Sequence, residues 1–323
     1  MSLSSLPVAL WGIGRHATRR LLPAIEQSKS LKLVGVCTRN MDLGQTTATN
    51  MQCDYYGTPE AMLADERIEA VIVSTPTGLH QQHGVAVLSA GKHLLCEKPF
   101  AHSHQSTVDL FELATKTGRR AVGALMYKYH PQFKKLKSLI QQGTLGELRA
   151  LSIKFGMPAL NANTFRDDPT LGGGAALDMT CYPLSLAYQL LPRPPILRAS
   201  SVMTRDNSNT DTDGWCGLEL DGVVVDCHWG MGRAYQNNLE VWGSKGVLRC
   251  ERVFTKEEDH ESQLVLYDHR GNKETEINTG PANAYVLMFD TISANLNNSD
   301  FFDSERGETE WCAGITDQIL RES

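Results

Sequence analysis

The sequence predicts a parallel, doubly wound α/β domain followed by an α+β domain built on an antiparallel sheet. Three observations carry this. Short apolar runs alternate with helical patterns over the first third of the chain, and from Leu148 onward strand-like runs follow one another across tight turns. The length, 323 residues, is too great for one ordinary core and suits two domains. Strands alternating with helices imply βαβ units and a sheet covered on both faces, whereas strands joined by short turns imply antiparallel pairing.

In the first domain, Val8-Ala9-Leu10-Trp11 reads as a strand that runs into a turn at Gly12. From Arg15 to Gln27 the apolar positions Ala17, Leu21, Leu22 and Ile25 recur at helical spacing. Strands follow at Leu31–Cys37, Ala70–Val73, His93–Cys96 and Ala121–Leu125, with helices at Pro59–Leu63, His80–Ala90 and Thr107–Lys116 between them. The dinucleotide-type domain is expected to span residues 1–123.

The second domain is expected over 124–323, with a C-terminal helix able to pack back on the first. A helix at Pro131–Gln142 is stopped by Gly143. Strands are read at Leu148–Phe155, Ala199–Arg205, Cys216–Leu220, Val223–Trp229, Asn238–Trp242 and Val247–Arg249. Asp221-Gly222 and Ser244-Lys245-Gly246 are hairpin signals. An apolar helix, Tyr182–Leu191, ends at Pro192; the polar stretch Thr204–Gly214 reads as exposed loop, and Glu310–Arg321 as helix.

Composition narrows the function. A formal net charge of −6 and the absence of a basic stripe argue against nucleic-acid or membrane partners and for a small-molecule substrate. Eight scattered cysteines without a C-x-x-C pair read as buried thiols of a reducing compartment, not as disulfides or a metal site. With no basic and apolar leader in Met1–Pro7, a cytoplasmic location is expected.

The stretch Gly12-Ile13-Gly14-Arg15-His16-Ala17 follows a strand and opens a helix. Gly12 permits the tight turn, Gly14 lets backbone approach a pyrophosphate, and Ala17 allows close packing of helix on strand. The helix N-terminus would then offer N–H groups to the phosphates. The alternative is a plain strand-to-helix turn. After the second strand comes Cys37-Thr38-Arg39-Asn40, with no carboxylate to hold the ribose 2′-hydroxyl of NAD. Arg39 would instead pair with a 2′-phosphate, so NADP(H) is favoured over NAD(H), unless Arg39 is a solvated loop residue.

Lys98, in Cys96-Glu97-Lys98-Pro99, falls beyond the carboxyl end of a strand, where ligands of open α/β sheets bind. The following proline restrains its backbone. From here the sequence resembles the Gfo/Idh/MocA family of NAD(P)-dependent sugar and polyol oxidoreductases. The resemblance runs over most of the chain: Gly12-Ile13-Gly14, Val71-Ile72-Val73-Ser74-Thr75-Pro76-Thr77 with His80, Ala90-Gly91-Lys92-His93 into Glu97-Lys98-Pro99, Gly143-Thr144-Leu145-Gly146-Glu147, and Gly172-Gly173-Gly174-Ala175-Ala176-Leu177-Asp178. It implies a Rossmann domain followed by an open-faced, mostly antiparallel sheet that often mediates oligomers, hence a homodimer or homotetramer. It also implies a cis Lys98–Pro99 bond, Ser74, Thr75, Pro76 and His80 beside the nicotinamide, and Glu97 near the cofactor ribose. Read without it, His80 is a structural helix-start residue and Glu97 an ion-pair partner for a nearby lysine.

Gly172-Gly173-Gly174 leads into a helix expected to carry both Asp178 and Tyr182, four apart on one face. Many members of that family carry His at the Tyr182 position; tyrosine there resembles the dihydrodiol dehydrogenase, xylose dehydrogenase and sugar 3-ketoreductase branch, as do His130-Pro131-Gln132 and Phe165-Arg166-Asp167-Asp168-Pro169. The alternative for Asp178 and Tyr182 is a buried hydrogen-bonded pair. Reduction of a carbonyl leaves an oxyanion that needs a proton, and a phenol of pKa ~10 is a poor acid unaided. A cationic Lys98 would stabilise phenolate and oxyanion, with Asp178 orienting and Arg166 binding substrate hydroxyls. The leading expectation is therefore hydride transfer between NADP(H) and a sugar or other polyhydroxy compound. A trans-dihydrodiol or aldose dehydrogenase is a second reading, and a non-catalytic dinucleotide-binding sensor or repressor partner a third.

Overall fold

The structure, a computed structural model, describes residues 5–158, 164–205 and 208–322. These form two compact units: the chain up to Leu125 together with Tyr285–Glu310, and Met126–Ala284 together with the residues from Trp311.

The first unit is built on β1 (Leu6–Trp11), β2 (Leu31–Cys37), β3 (Asp54–Tyr56), β4 (Ala70–Val73), β5 (His93–Glu97) and β6 (Ala121–Ala124). All pair in parallel in the order β3-β2-β1-β4-β5-β6, the Rossmann order with its reversal between β1 and β4. Between the strands lie α1 (Leu22–Gln27), α2 (Met41–Met51), α3 (Pro59–Ala64), α4 (His80–Ser89) and α5 (His104–Thr117). The expected first helix forms, but within it Ala17–Leu21 is π-helical. Pro23 explains this. It lacks an N–H and crowds the carbonyl four residues back, and the Leu22 N–H reaches Ala17 O instead. One sheet face packs Trp11, Val71, Val73 and Leu94 against Leu88, Phe100 and Phe111. On the other face, Leu6, Val8, Ile72 and Val122 meet Phe289, Ile292 and Phe302.

Those last residues lie on α9 (Ala284–Ala294) and α10 (Ser299–Arg321), numbered after the second unit's helices. The sequence pattern did not show α9, nor the first half of α10. Asp290 on α9 accepts hydrogen bonds from the hydroxyls of Ser28 at 2.6 Å and Ser30 at 2.5 Å, beside the start of β2.

The second unit contains α6 (Pro131–Gln141), β7 (Leu148–Met157), α7 (Ala175–Met179), α8 (Cys181–Leu190) and β8 (Ile196–Met203). It continues with β9 (Asp213–Leu220), β10 (Val223–Met231), β11 (Gln236–Gly243), β12 (Gly246–Glu251), β13 (Ser262–Asp268) and β14 (Lys273–Gly280). Its sheet order is β14-β13-β12-β11-β7-β10-β9-β8, antiparallel except for β10 on β7. The β9–β10 hairpin turns on Asp221 (φ 52°) and Gly222 (φ 82°), as their dipeptide predicts. One face is buried under α7 and α8 and the other carries Trp242 and Val224, 60% and 53% exposed.

Two expectations for this unit need correcting. Asp178 and Tyr182 do not share one helix: α7 ends at Met179 and α8 begins at Cys181. Pro183, which cannot donate back to Met179, breaks the hydrogen-bond ladder there. Nor is Thr204–Gly214 simply an exposed loop. Asp206 and Asn207 lie outside the described residues, but Asp213 is 1% exposed and begins β9.

Candidate active site

In the first unit the strand ends at the topological switch point enclose a cavity of about 350 Å³. Among its lining residues are the predicted Gly12, Ile13, Gly14, Thr38, Arg39, Ser74, Thr75 and Pro76. Each is placed by its strand. Gly12 ends β1 with φ +100°, its N–H bonded to Cys37 O at 2.9 Å. A Cβ there would stand 2.6 Å from Ser74 O, so only glycine lets β1 and β4 converge at this point. Gly14 differs: a Cβ would meet nothing within 4 Å, and the turn opens onto empty space at the start of a helix. That cradle fits the pyrophosphate of a dinucleotide. Thr38 and Arg39 close the cavity at the end of β2.

The remaining predicted cofactor residues, Arg15, His16, His80 and Glu97, are not in that lining. Arg15 is exposed on the opening helical turn. His16 Nε2 lies 3.0 Å from Glu97 Oε1, which ties the phosphate turn to the end of β5, and Tyr285 packs edge-on to the imidazole at 5.6 Å. Glu97 therefore pairs with His16, and Lys98 is the lysine beside it in the chain. The burial of Glu97 opposes ionisation, yet the His16 contact and the neighbouring Lys98 hold its carboxyl below the usual range. Glu97 Oε2 also accepts the Lys98 N–H at 3.2 Å, and the Lys98–Pro99 bond is cis.

His80 is 1% exposed, with Nδ1 2.8 Å from Pro99 O and Nε2 2.8 Å from Thr75 O. Burial pushes the ring below its ordinary pKa, opposed by the two carbonyls that it faces. It fastens the segment after β4 to the Lys98–Pro99 turn. Sequence reasoning missed His83, one helical turn further on, which lines the cavity, stacks on Trp11 at 4.0 Å and meets Thr75 Oγ1 at 2.9 Å. Its i+3 spacing from His80 was the available signal.

In the second unit Asp178 and Tyr182 are 2% and 4% exposed. Arg166 Nε donates to Asp178 Oδ2 at 2.9 Å, so the predicted substrate residue and the predicted orienting carboxylate are in contact. The Tyr182 ring sits among Phe155, Phe254 and Tyr127, with centroids at 4.7, 5.3 and 6.5 Å. The glycine run holds this arrangement. Gly174 (φ +111°) donates to Arg166 O at 3.0 Å, and a Cβ on Gly173 would lie 2.4 Å from the same oxygen. Asp211, also missed, caps α7 by accepting the Ala176 N–H at 2.6 Å; burial pushes its carboxyl up, partly offset by that bond. His130 caps α6, Nδ1 accepting from Gln132 N at 3.1 Å. Among the described residues there is no group of three metal-ligating side chains.

Residues 6–124 match the oxidoreductase family's NAD-binding Rossmann fold, and residues 133–249 match the Gfo/Idh/MocA C-terminal domain. The chain belongs to the Gfo/Idh/MocA family. Among its relatives, a dTDP-3,4-didehydro-2,6-dideoxy-α-D-glucose 3-reductase of Streptomyces antibioticus is 31% identical over 258 residues, 79% of this chain and 78% of that one. A D-xylose 1-dehydrogenase (NADP(+)) of Haloferax volcanii is 27% identical over 321 residues, 96% and 90% of the two chains. The fold of this Gfo/Idh/MocA chain is shared with a 3-ketoreductase from Actinomadura kijaniata solved with NADP and TDP-benzene, at a TM-score of 0.93 and 24% identity over 98% of both chains. It is thus a member of an oxidoreductase family, and among the described residues no helix is long and apolar enough to cross a membrane.

Proposed function

We propose that the chain transfers a hydride between NADP(H) and a sugar or other polyhydroxy alcohol or carbonyl compound, with Lys98 and Tyr182 assisting proton transfer. The observation that carries this reading is the lining of the first-unit cavity: a glycine cradle, Arg39, and no acidic side chain among its lining residues. A carboxylate at the end of β2 would accept from the 2′-hydroxyl of NAD, whereas a guanidinium pairs with a 2′-phosphate. NADP(H), when bound, supplies or accepts the hydride. NAD(H) is the weaker alternative.

The chain's own residues do the rest. The backbone N–H groups of Ile13–His16 bind the pyrophosphate, with His16 held by Glu97. Ser74, Thr75 and Pro76 form the wall after β4, fastened from behind by His80. Tyr182 Oη holds or receives the proton of the reacting hydroxyl, and Lys98 Nζ stabilises negative charge on the phenol and substrate oxygens. Asp178, with Arg166 on its carboxylate, orients substrate hydroxyls. The 3-reductase of S. antibioticus and the NADP(+)-dependent dehydrogenase of H. volcanii both support a sugar substrate.

The same reading includes a homodimer or homotetramer in the cytoplasm, without nucleic-acid or membrane partners. Across the exposed sheet face Val224, Ala150 and Trp242 stand in one register row, an apolar stripe suited to self-association. NADPH oxidation with a panel of keto-sugars tests the proposal. Turnover of at least one keto-sugar is expected. NADPH binding without turnover across the panel would overturn it in favour of a sensor.

A further inference from the structure

His16 follows β1 on the phosphate turn, and its side chain meets Glu97 at the end of β5, 81 residues along the chain. The sheet order places β4 between those two strands. The contact therefore spans two strand spacings, roughly 10 Å, beside the point where the strand order reverses. Both carboxylate oxygens are engaged. Oε1 lies 3.0 Å from His16 Nε2, and Oε2 accepts the Lys98 N–H at 3.2 Å. A carboxylate only accepts, so Nε2 is the ring nitrogen that carries the hydrogen. One side chain thus fastens the phosphate turn to the backbone of Lys98.

The two bonds of Glu97 restrain different things. The Lys98 N–H is the next group along the chain, so a bond to it alone would let carboxylate and backbone move together. His16 belongs to another segment, and its bond fixes the carboxylate relative to the rest of the sheet. The Glu97 side chain is only 10% exposed, so this charge-assisted bond is made largely away from water, where it is strong. Tyr285 of α9 packs edge-on against the imidazole at 5.6 Å and limits the freedom of the ring. On the far side of Lys98, Pro99 O lies 2.8 Å from His80 Nδ1. The Lys98-Pro99 turn is therefore held at both ends, by His80 and by a carboxylate whose own place is set by His16.

We infer that His16 is a positioning residue for the reaction: by fixing the Glu97 carboxylate it holds the Lys98 backbone in the place from which its ammonium works. The inference rests on the role proposed for Lys98 and extends it to the phosphate turn. In full-length His16→Leu, which removes the donor and keeps the backbone N–H groups of the turn, kcat with NADPH and a keto-sugar should fall about 10–100-fold. That is the cost of misplacing a catalytic group by about an ångström, and the NADPH dissociation constant should stay within ~3-fold of wild type. His16→Gln puts an N–H donor at the same bond count from Cβ and should recover most of kcat. In a Lys98→Ala background, His16→Leu should cost less than ~2-fold more, because both act by one route. An unchanged kcat in His16→Leu, a loss confined to NADPH affinity, or full additivity with Lys98→Ala would each overturn the inference. If His16→Leu does not fold, His16→Asn, polar but too short to reach Glu97, replaces it with the same expectations. Amide hydrogen exchange at Lys98 reads the clamp without turnover: it should be at least ~10-fold faster in His16→Leu or His16→Asn than in wild type, and slow again in His16→Gln. Equal exchange rates in all of them would sink the clamp. Failure of the wild type to turn over any keto-sugar would instead remove the hydride-transfer reading, leaving amide exchange to decide whether His16 holds Lys98.

Discussion

Gly174→Ala isolates what the glycine run does for the second unit. Gly174 has φ 111° and ψ 145°, a region open essentially to glycine, so alanine costs about 1–3 kcal/mol in backbone strain alone. Its Cβ would also stand 2.2 Å from Asp211 Oδ1, forcing that carboxylate off the Ala176 N–H it caps at 2.6 Å. Loss of a helix cap is worth about 1 kcal/mol. Together the substitution should destabilise the protein by about 3 kcal/mol, read as a lower urea midpoint at unchanged slope. Because α7 carries Asp178 and Gly174 bonds Arg166 O, kcat should fall at least ~10-fold while NADPH affinity holds. Gly118→Ala is the control. It too has positive φ, 66°, but open space where the Cβ would go, so only the backbone cost of about 1–2 kcal/mol is expected. A Gly174→Ala protein within ~0.5 kcal/mol of wild type, with wild-type kcat, would refute this account of the glycine run.

Three further outcomes are expected. Lys98→Ala and Tyr182→Phe should each lose on the order of 10²–10⁴ in turnover while still quenching NADPH fluorescence on binding; wild-type rates would remove both from the chemistry. Arg39→Ala should weaken NADP(H) binding by roughly 10–100-fold, the worth of a charge-assisted pair, and leave NAD(H) binding nearly unchanged; equal losses for both would place Arg39 elsewhere. Stability should fall on mild acidification. Burial first, then neighbouring arginines or other cations, depresses His83 to about 4, His93 to about 4 and His130 to about 3. The unfolded chain takes up protons as pH falls through ~6.5 while these folded rings stay neutral, so stability is full above that pH and is lost between there and about pH 4. Each ring contributes at most ~1.4 kcal/mol per pH unit. Urea midpoints that do not move between pH 7 and pH 5 would contradict this.

Much of the molecule was legible in the residues. The alternation of apolar runs and helical patterns up to Ala124 dictated a parallel sheet, because a strand flanked by amphipathic helices must be buried on both faces. Gly12, Gly14 and the carboxylate-free end of β2 declared the dinucleotide turn locally, since backbone geometry and charge at that turn depend on few neighbours. The edge strand β14, Lys273–Gly280, was not legible: it is polar and mostly exposed, so no period-2 pattern marks it. α9 was missed because its role, closing the far face of the first sheet with Phe289 and Ile292, is set by residues over 150 positions away. Pairings made only in the folded chain were equally invisible: His16 with Glu97, 81 positions apart, and over shorter separations Arg166 with Asp178 and Asp213 with Arg205 and Arg233. Local chemistry writes turns, caps and strand periods into the chain itself. Which carboxylate meets which cation is decided only when the sheets bring distant segments together, because burial makes an unpaired charge too costly to leave.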